Sequence, residues 1–388
     1  MRRPIITSSL YAITCGLFAT TFMTFAEATP APKLPQFDQV QVAVKPEINI
    51  ERMRQIRDLV RDLMSQRVRA RNIQNLPPEN APFDPSASRA DGGQFGLMQE
   101  IELLADIIQQ NSSVQSQQGT YALQASTTEE AASSTPTTNV FGEVNGGPVE
   151  STKTRLGYDG HQLSVNVGLD KSVSERLTLG LIGTHSATDI DENFIAANST
   201  TDAYGIGPYF GLFLTETLVL TGSLLHTWTD NETSNGVVSA DYDSRDWMIN
   251  GTLTSYHFVE NWMLAPSIGA SYNEERDEAY LDTIGTPYAA LTTKTGTFSA
   301  GGAATYTHYL ENGVILQPKL SFEAEWTFER SVSAGTATST DEFDVSLAAG
   351  LDITFSESAA LSLDVTFGGL ARSDYESLLA GGRLTLSF

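Results

Sequence analysis

From residue 139 to the end of the chain, apolar and polar residues alternate with a period of two. Leu163, Val165 and Val167, for example, alternate with Ser164 and Asn166. This pattern predicts β-strands with one apolar and one polar face. A soluble sandwich would show the same alternation, but these segments run for about ten residues or more, the length with which a tilted strand crosses a bilayer. We therefore expect strands that span a membrane.

Twelve such segments follow one another, and the connections between them alternate between short turns and longer polar loops. The segments cover about 139–146, 156–170, 175–188, 202–214, 217–229, 241–259, 262–274, 293–310, 314–329, 342–355, 359–370 and 378–388. Longer loops are expected near 188–201, 230–240, 275–292 and 330–341. Short turns on one side and long loops on the other are typical of bacterial outer-membrane barrels. The predicted fold is a 12-stranded antiparallel transmembrane β-barrel at 139–388, preceded by a short α-helical region.

Upstream of the barrel the apolar period changes to that of a helix. Met53, Ile56, Val60 and Leu63 recur at spacings of three and four and predict an amphipathic helix over about 47–75. The helix is basic, with arginines at 52, 54, 57, 61, 67, 69 and 71. A second helix with acidic residues is expected at 95–110, after a break rich in Pro and Gly. Residues 47–110 are thus predicted to form a two-helix module.

The remaining upstream segments have no apolar period. Four prolines within 29–46 predict an extended segment, and Ser, Thr and Gln dominate 111–138, which we expect to be a linker. Residues 1–28 combine Arg2 and Arg3, an apolar stretch that ends at Phe25, and small residues around Ala28. This order predicts a signal peptide, with a membrane anchor as the alternative. Cys15, the single cysteine, falls within it, so no disulfide is expected in the mature chain.

Net charge narrows the function further. The formal charge is −24, and residues 139–388 contain 33 Asp and Glu against 11 Lys and Arg. Such a surface repels nucleic acid, which we exclude as a partner. The chain also lacks the nucleophile, zinc and phosphate-loop motifs of common enzymes, so we expect no catalytic residues, no cofactor and no bound metal.

The alternation places a set of charged residues on the polar face of the last strands, inside a closed barrel. The candidate lumen-lining residues are Lys319, Glu323, Glu325, Asp344, Asp352, Asp364 and Arg383. They are interpreted either as contacts that hold a pore helix or tune ion passage, or as a solvated, mutually paired lining. One hypothesis is that Glu323, Glu325, Asp344 and Asp352 clamp the basic upstream helix. We expect that helix to pack on another helix, with a surface polymer or the lumen as alternative partners.

Other polar and aromatic residues have simpler interpretations. His185, His226, His257 and His308 are in phase with lipid-facing residues, so they are expected at the membrane interface rather than in catalysis. Two groups of acids, Asp189, Asp191 and Glu192, and Glu274, Glu275, Asp277 and Glu278, suggest calcium ligands, but their spacing favours ordinary solvated loops. An interfacial girdle is expected from Tyr204, Trp228, Trp247, Trp262, Tyr306, Trp326 and Phe355.

The barrel resembles a known family, the autotransporter β-domain of type V secretion. The resemblance lies in Tyr158–Asp159–Gly160, in Val167 to Asp170 followed by a short turn and Leu177 to Leu181, and in the ending Leu384, Thr385, Leu386, Ser387, Phe388. It implies location in the outer membrane, among lipid and lipopolysaccharide. It also implies that Leu384, Leu386 and Phe388 form the signal read by the barrel-assembly machinery.

In that family a helix before the first strand lies in the pore, and an upstream passenger is exported. Twelve strands about 4.8 Å apart and tilted roughly 40° leave a free width of roughly 10 to 14 Å, close to the diameter of one helix. The chain upstream of the barrel is short, however, with no repetitive passenger. We therefore expect a barrel that translocates or anchors its own helical N-terminal region. The alternative is a small pore whose N-terminal helices stay periplasmic as a gate or tether. The apolar stripes of these helices also allow self-association of the chain.

Overall fold

The computed structural model describes residues 36–74, 138–152, 157–192, 197–333, 343–356 and 358–388. It contains one helix, α1 (Gln36–Gln74), followed by the strands of a single large sheet. The twelve long strands are β1 (Thr138–Ser151), β2 (Tyr158–Ser172), β3 (Leu177–Glu192), β4 (Ala197–Phe213), β5 (Leu218–Ser234), β6 (Ser239–Ser255), β7 (Trp262–Asp277), β8 (Thr292–Tyr306), β9 (Ile315–Val332), β10 (Phe343–Ser356), β11 (Ala359–Gly368) and β12 (Tyr375–Ser387).

Each strand pairs antiparallel with its neighbours in the chain, and the sheet closes on itself. β1 pairs with β2 on one side and with β12 on the other, with Asn139 opposite Ser387. The backbone of Thr138 also exchanges hydrogen bonds with Phe388. Closure leaves no unpaired strand edge, as a membrane requires. The prediction of twelve antiparallel strands is confirmed.

Several strands are longer than the sequence pattern predicted. β3 continues to Glu192 and β4 begins at Ala197, while β5 and β6 extend to Ser234 and Ser239. The loops predicted at 188–201 and 230–240 are therefore wrong, since most of these residues are strand. The cause is that strands above the bilayer have polar residues on both faces, so the alternation ends before the backbone pairing does. A small hairpin of Tyr280–Leu281 and Pro287–Tyr288 lies in the β7–β8 connection.

The two ends of the barrel are distinct. The turn end contains Thr138, Phe388 and the short turns, such as 173–176 and 214–217. The loop end contains the connections from β5 to β6 and from β7 to β8. By analogy with outer-membrane barrels, short turns face the periplasm.

Apolar side chains cover the outer face between two levels of aromatic residues. Tyr204, Trp228 and Trp247 are about half exposed on the loop-end side, and Trp262 and Phe355 lie near the turn end. Trp262 packs on Tyr306, with ring centroids 5.1 Å apart. This placement matches a band facing hydrocarbon between two interfaces. Within the described residues, no helix has the combination of length and hydropathy needed to cross a membrane.

The upstream helix begins earlier than predicted. The segment 29–46 was expected to be extended because of its four prolines, but α1 starts at Gln36 and continues through Pro46. Pro46 removes one intrahelical hydrogen bond, and its two neighbours, Lys45 and Glu47, form ion pairs with the barrel that offset this loss. The predicted signal peptide, second helix and linker lie outside the described residues.

Candidate functional site: a helix inside the barrel lumen

Helix α1 lies inside the barrel, along its axis. Lys45, near the start of the helix, contacts Glu275 and Asp277 close to the loop end. Arg71, near its end, donates a hydrogen bond to the carbonyl oxygen of Glu175 in a turn-end turn. The helix therefore begins at the loop end and ends at the turn end. Its apolar face is buried on the lumen wall, which corrects the prediction that it packs on another helix.

One face of α1 forms ion pairs with β9 and β10. Arg54 lies 3.2 Å from Glu325 and 3.0 Å from Asp344. Arg57 lies 3.1 Å from Glu325 and also binds Glu323. The guanidinium groups are almost fully buried, with side-chain exposures of 4% for Arg54 and 1% for Arg57. Charges so far from water are stable only when opposite charges and hydrogen bonds surround them.

The same wall continues the pairing towards the turn end. Arg61 donates to Glu323 at 3.2 Å, and Arg69 donates to Asp352 at 2.6 Å. Together with the preceding contacts, Glu323, Glu325, Asp344 and Asp352 all bind arginines of α1. The charged lining is therefore paired mainly with the helix and not only within itself.

At Asp62, in the turn-end half of the helix, the signs are reversed. Asp62 of α1 binds Lys319 of β9 and lies 3.8 Å from Arg383 of β12. Arg383 also pairs with Glu143 of β1 at 3.4 Å. Asp364 is the one predicted lumen residue not yet described. It pairs with Gly381 of β12 on the same wall. All seven predicted residues thus lie on the lumen side of β9 to β12.

At the loop end, further side-chain hydrogen bonds hold α1 to the barrel. Glu47 accepts hydrogen bonds from the Tyr158 hydroxyl at 2.6 Å and from Arg372 at 2.8 Å. On the opposite wall, Glu275 accepts hydrogen bonds from Lys45 at 2.9 Å and from Asn49 at 2.8 Å. The helix is thus held on both sides at the mouth of the barrel.

The other face of α1 is apolar and packs against an apolar part of the wall. Met53, Ile56, Leu63 and Met64 are at most 4% exposed. The wall residues in the same core cluster are Phe141, Ile182, Tyr209, Phe213, Val219, Leu225, Met248, Tyr256, Met263 and Ala265. They come mainly from β3 to β7, so this wall is largely apolar, although Asp246 of β6 binds Arg52 at 3.0 Å and Glu275 and Asp277 of β7 bind Lys45.

Gly211 on β4 makes room for one helix side chain. A Cβ atom added at Gly211 would lie 2.1 Å from the sulfur of Met64, far inside van der Waals contact. A side chain at this position would force the flexible end of Met64 to move away from the strand. Gly211 thus makes the space that Met64 occupies against β4.

Sequence reasoning placed some of these residues incorrectly. Glu275 and Asp277 were assigned to a solvated loop, but they lie on the lumen side of β7 and bind Lys45. The sequence did contain the information needed, because Glu275 and Asp277 continue the alternation of the lumen-facing Ser271 and Asn273. Lys45, Glu47 and Asp62 of the helix were not singled out, since a single sequence does not show which helix charge meets which wall.

The remaining candidates lie outside the lumen contacts. His185 stacks on Tyr204 and His226 stacks on Trp247, with ring centroids 4.6 and 4.3 Å apart, on the outer face. Asp189 and Asp191 accept hydrogen bonds from Asn198 at 2.9 and 3.2 Å. In the described part of the chain, no group of three or more His, Cys, Asp or Glu side chains is arranged to hold a metal.

Comparison with known proteins identifies the class. The family model described as the autotransporter beta-domain matches residues 139–366. This range is more than half of the chain, so the protein belongs to the autotransporter β-domain family. It is an outer-membrane β-barrel, and the family resemblance noted from the sequence is confirmed.

Solved structures show the same fold. The translocator domain of the autotransporter NalP from Neisseria meningitidis matches with a TM-score of 0.55 and 14% identity, over 75% of this chain and 95% of that one. The β-domain of the Bordetella autotransporter BrkA matches with a TM-score of 0.54 and 16% identity, over 65% and 100%. The transport unit of AIDA-I from Escherichia coli matches with a TM-score of 0.53 and 13% identity, over 64% and 90%.

Two curated relatives are much longer proteins. Outer membrane protein A of Rickettsia conorii and that of Rickettsia rickettsii are each 27% identical to this chain over 203 residues. The alignments cover 46% of this chain but only 10% and 9% of those proteins. The likeness is therefore confined to a small part of each relative.

Proposed function

We propose that this protein is a non-catalytic outer-membrane anchor whose barrel retains its own N-terminal helix as a resident plug. The observation that carries the proposal is the set of buried ion pairs between α1 and the β9–β10 wall. Arg54, Arg57, Arg61 and Arg69 all bind carboxylates there. The paired charges and the apolar core on the opposite face both support a helix that stays in place.

Electrostatics gives the physical reason for retention. If α1 left the lumen, the buried carboxylates of β9 and β10 would face one another without their cations. Water would fill the emptied lumen and solvate these carboxylates, but they would lose their arginines and repel one another. Departure of α1 would also expose the apolar wall of β3 to β7 to water. Both effects favour a permanently occupied lumen over an open pore.

The direction of α1 supports an anchoring role. Because α1 begins at the loop end, the chain upstream of Gln36 leaves the barrel on that side. Residues 74 and 138, which flank the stretch between α1 and β1, both lie at the turn end. The proposed anchor therefore holds the segment upstream of Gln36 at the cell surface. Insertion by the barrel-assembly machinery through Leu384, Leu386 and Phe388 is part of this proposal.

Single-channel recording in planar bilayers tests the plug. The variant E323Q/E325Q/D344N/D352N removes the carboxylates that hold the arginines of α1, so its conductance should rise well above that of the wild type as the helix leaves. The matched control is D189N/D191N, which removes two acids on the outer face of β3 and should leave conductance unchanged. Equal conductance of the fourfold variant and the wild type would refute the plug.

A second candidate function follows from the position of residues 74 and 138. With both at the turn end, the stretch 75–137 is proposed to act on the periplasmic side as an envelope tether. Protease shaving of intact cells tests this, with one epitope inserted after residue 90 and a control epitope in the β7–β8 connection after Gly285. The tether predicts loss of the control epitope and survival of the other. Loss of both would show that the stretch is displayed outside.

A further inference from the structure

Three aliphatic side chains lie exposed together at the tip of the loop end. Val237, Leu281 and Ile284 are 85%, 64% and 71% exposed. They belong to two neighbouring loops that are joined by backbone contacts: the Thr283 amide donates to the Ser239 carbonyl at 2.9 Å, and the Ser239 amide donates to the Thr283 hydroxyl at 3.1 Å. We call these three residues the outer patch. It lies well above the aromatic level at Trp247, away from lipid.

The loops that carry the outer patch rest on a base of stacked tyrosine side chains. Tyr242, Tyr280 and Tyr288 stack beneath it, with successive ring centroids 4.6 and 4.7 Å apart. Asp282 closes the hairpin turn by accepting hydrogen bonds from the backbone amides of Ile284 at 3.0 Å and Thr286 at 2.7 Å. Such a base holds the backbone of these loops in place, so that a partner can bind without first ordering it.

Helix α1 passes close to this base. The Lys45 ammonium lies 4.8 Å from the centre of the Tyr242 ring. From Lys45 the helix continues for nine more residues to Gln36, or about 13–14 Å at 1.5 Å per residue. Ser239 is three residues beyond Tyr242 along β6, which places it roughly 8 Å above that ring, given the rise and tilt of barrel strands. The start of α1 and the outer patch thus both lie beyond the Tyr242 ring at the loop end.

The chain upstream of α1 has the composition and the reach to cover the outer patch. Residues 29–35 read Thr-Pro-Ala-Pro-Lys-Leu-Pro, with one aliphatic residue, Leu34, and one charge, Lys33. Leu34 and Lys33 lie two and three residues upstream of Gln36, or about 6 and 9 Å from the start of α1 in a polyproline conformation. The exposed acids Asp241 and Glu232 lie opposite each other beside the patch and complement Lys33. A Pro-rich segment also loses little conformational entropy when it binds.

We propose that the amino-terminal segment 29–35 docks on the outer patch, with Leu34 against Val237, Leu281 and Ile284 and Lys33 beside Asp241. The barrel then holds its own amino terminus against the outer hairpin instead of presenting it freely. This inference rests on the proposed role of α1 as a resident plug.

Cysteine cross-linking in the full chain tests the docking. Apart from Cys15, within the predicted signal peptide, the chain has no cysteine. With a short bismaleimide on intact outer membranes, the pair Leu34→Cys and Ile284→Cys should cross-link within one chain. The pair Leu34→Cys and Val173→Cys is the control, since Val173 is exposed at the turn end. Adding V237D and L281D should slow the first cross-link by at least about tenfold, the order expected when an aliphatic contact is lost.

A third pair separates the two proposals. Met64→Cys and Gly211→Cys report whether α1 is in the lumen. If this pair cross-links while residue 34 reacts with residue 284 no faster than with residue 173, the docking is wrong and the plug stands. If the third pair also fails, both proposals are wrong. Cross-links between residues 284 of two chains, without any to residue 34, would assign the outer patch to a second copy and overturn the docking.

Discussion

The two walls of the lumen hold the same helix by different means. The wall formed by β9 and β10 binds α1 through buried carboxylates, with Arg54 and Arg57 paired to Glu323, Glu325 and Asp344. The wall formed mainly by β3 to β7 contacts it largely through apolar side chains of the shared core, with buried ion pairs at Lys45 and Arg52. Ion pairs depend on sign and direction, whereas apolar contact depends on area and shape.

The ion pairs and the apolar contacts therefore have different roles in holding α1. A shift of α1 by one turn towards the turn end would bring Met53 to the place of Arg57, facing Glu323 and Glu325. The apolar wall would still meet apolar residues, because the stripe repeats every three or four positions. The charged wall would lose a buried cation and gain unpaired carboxylates. The buried ion pairs, most of them on the charged wall, therefore set the register of the helix, and the apolar contacts fill the remaining space.

The largest expected effect comes from the charged wall. The variant E323Q/E325Q leaves Arg57, which is 1% exposed, with a 4.0 Å contact to Asp58 as its one remaining ion pair among the described residues and a 3.4 Å hydrogen bond to the Ser271 hydroxyl. We expect a loss of about 3–5 kcal/mol in the free energy of unfolding. Adding Arg57→Met should restore most of it, because no buried charge then lacks a partner. Urea unfolding in lipid vesicles, followed by tryptophan fluorescence, measures both.

The matched control for this experiment is an exposed pair. Arg245 and Glu278 lie 3.0 Å apart with side chains 62% and 53% exposed. Arg245→Gln should change the free energy of unfolding by no more than about 1 kcal/mol. If E323Q/E325Q behaves like this control, the charged wall does not hold α1. If Arg57→Met gives no recovery, the loss has a cause other than the unpaired charge.

A smaller effect is expected on the apolar wall. Gly211→Leu places side-chain atoms where Met64 lies, and overpacking of this kind costs about 1–3 kcal/mol. Adding Met64→Ala should recover a large part by vacating that volume. Gly251→Leu is the control, because a Cβ added at Gly251 has its nearest neighbour at 4.0 Å. The same unfolding assay measures all three. A loss in Gly211→Leu that Met64→Ala leaves unchanged would show that the glycine is needed for the strand and not for the helix.

The barrel could be predicted from local sequence patterns, because each strand shows its own alternation of apolar and polar residues. The period of two predicted twelve strands, and the phase assigned Glu323, Glu325 and Asp352 to the lumen and Leu384 to the lipid face. The pattern failed where both faces of a strand are in water, as in β3 beyond residue 188, because burial no longer distinguishes the faces. It also failed at Pro46, where ion pairs of the flanking residues with the barrel outweigh a local preference against helix.

What the sequence alone determined is thus the class of fold, the faces of the strands and the opposite charges of helix and lining. It did not determine that α1 lies in the lumen, because its apolar stripe fits a second helix as well as a barrel wall. Tertiary structure decided that point by bringing Arg57 to Glu323, 266 residues apart in sequence. The same is true of Met64 and Gly211. Pairings over such distances depend on closure of the whole sheet, which no local pattern contains.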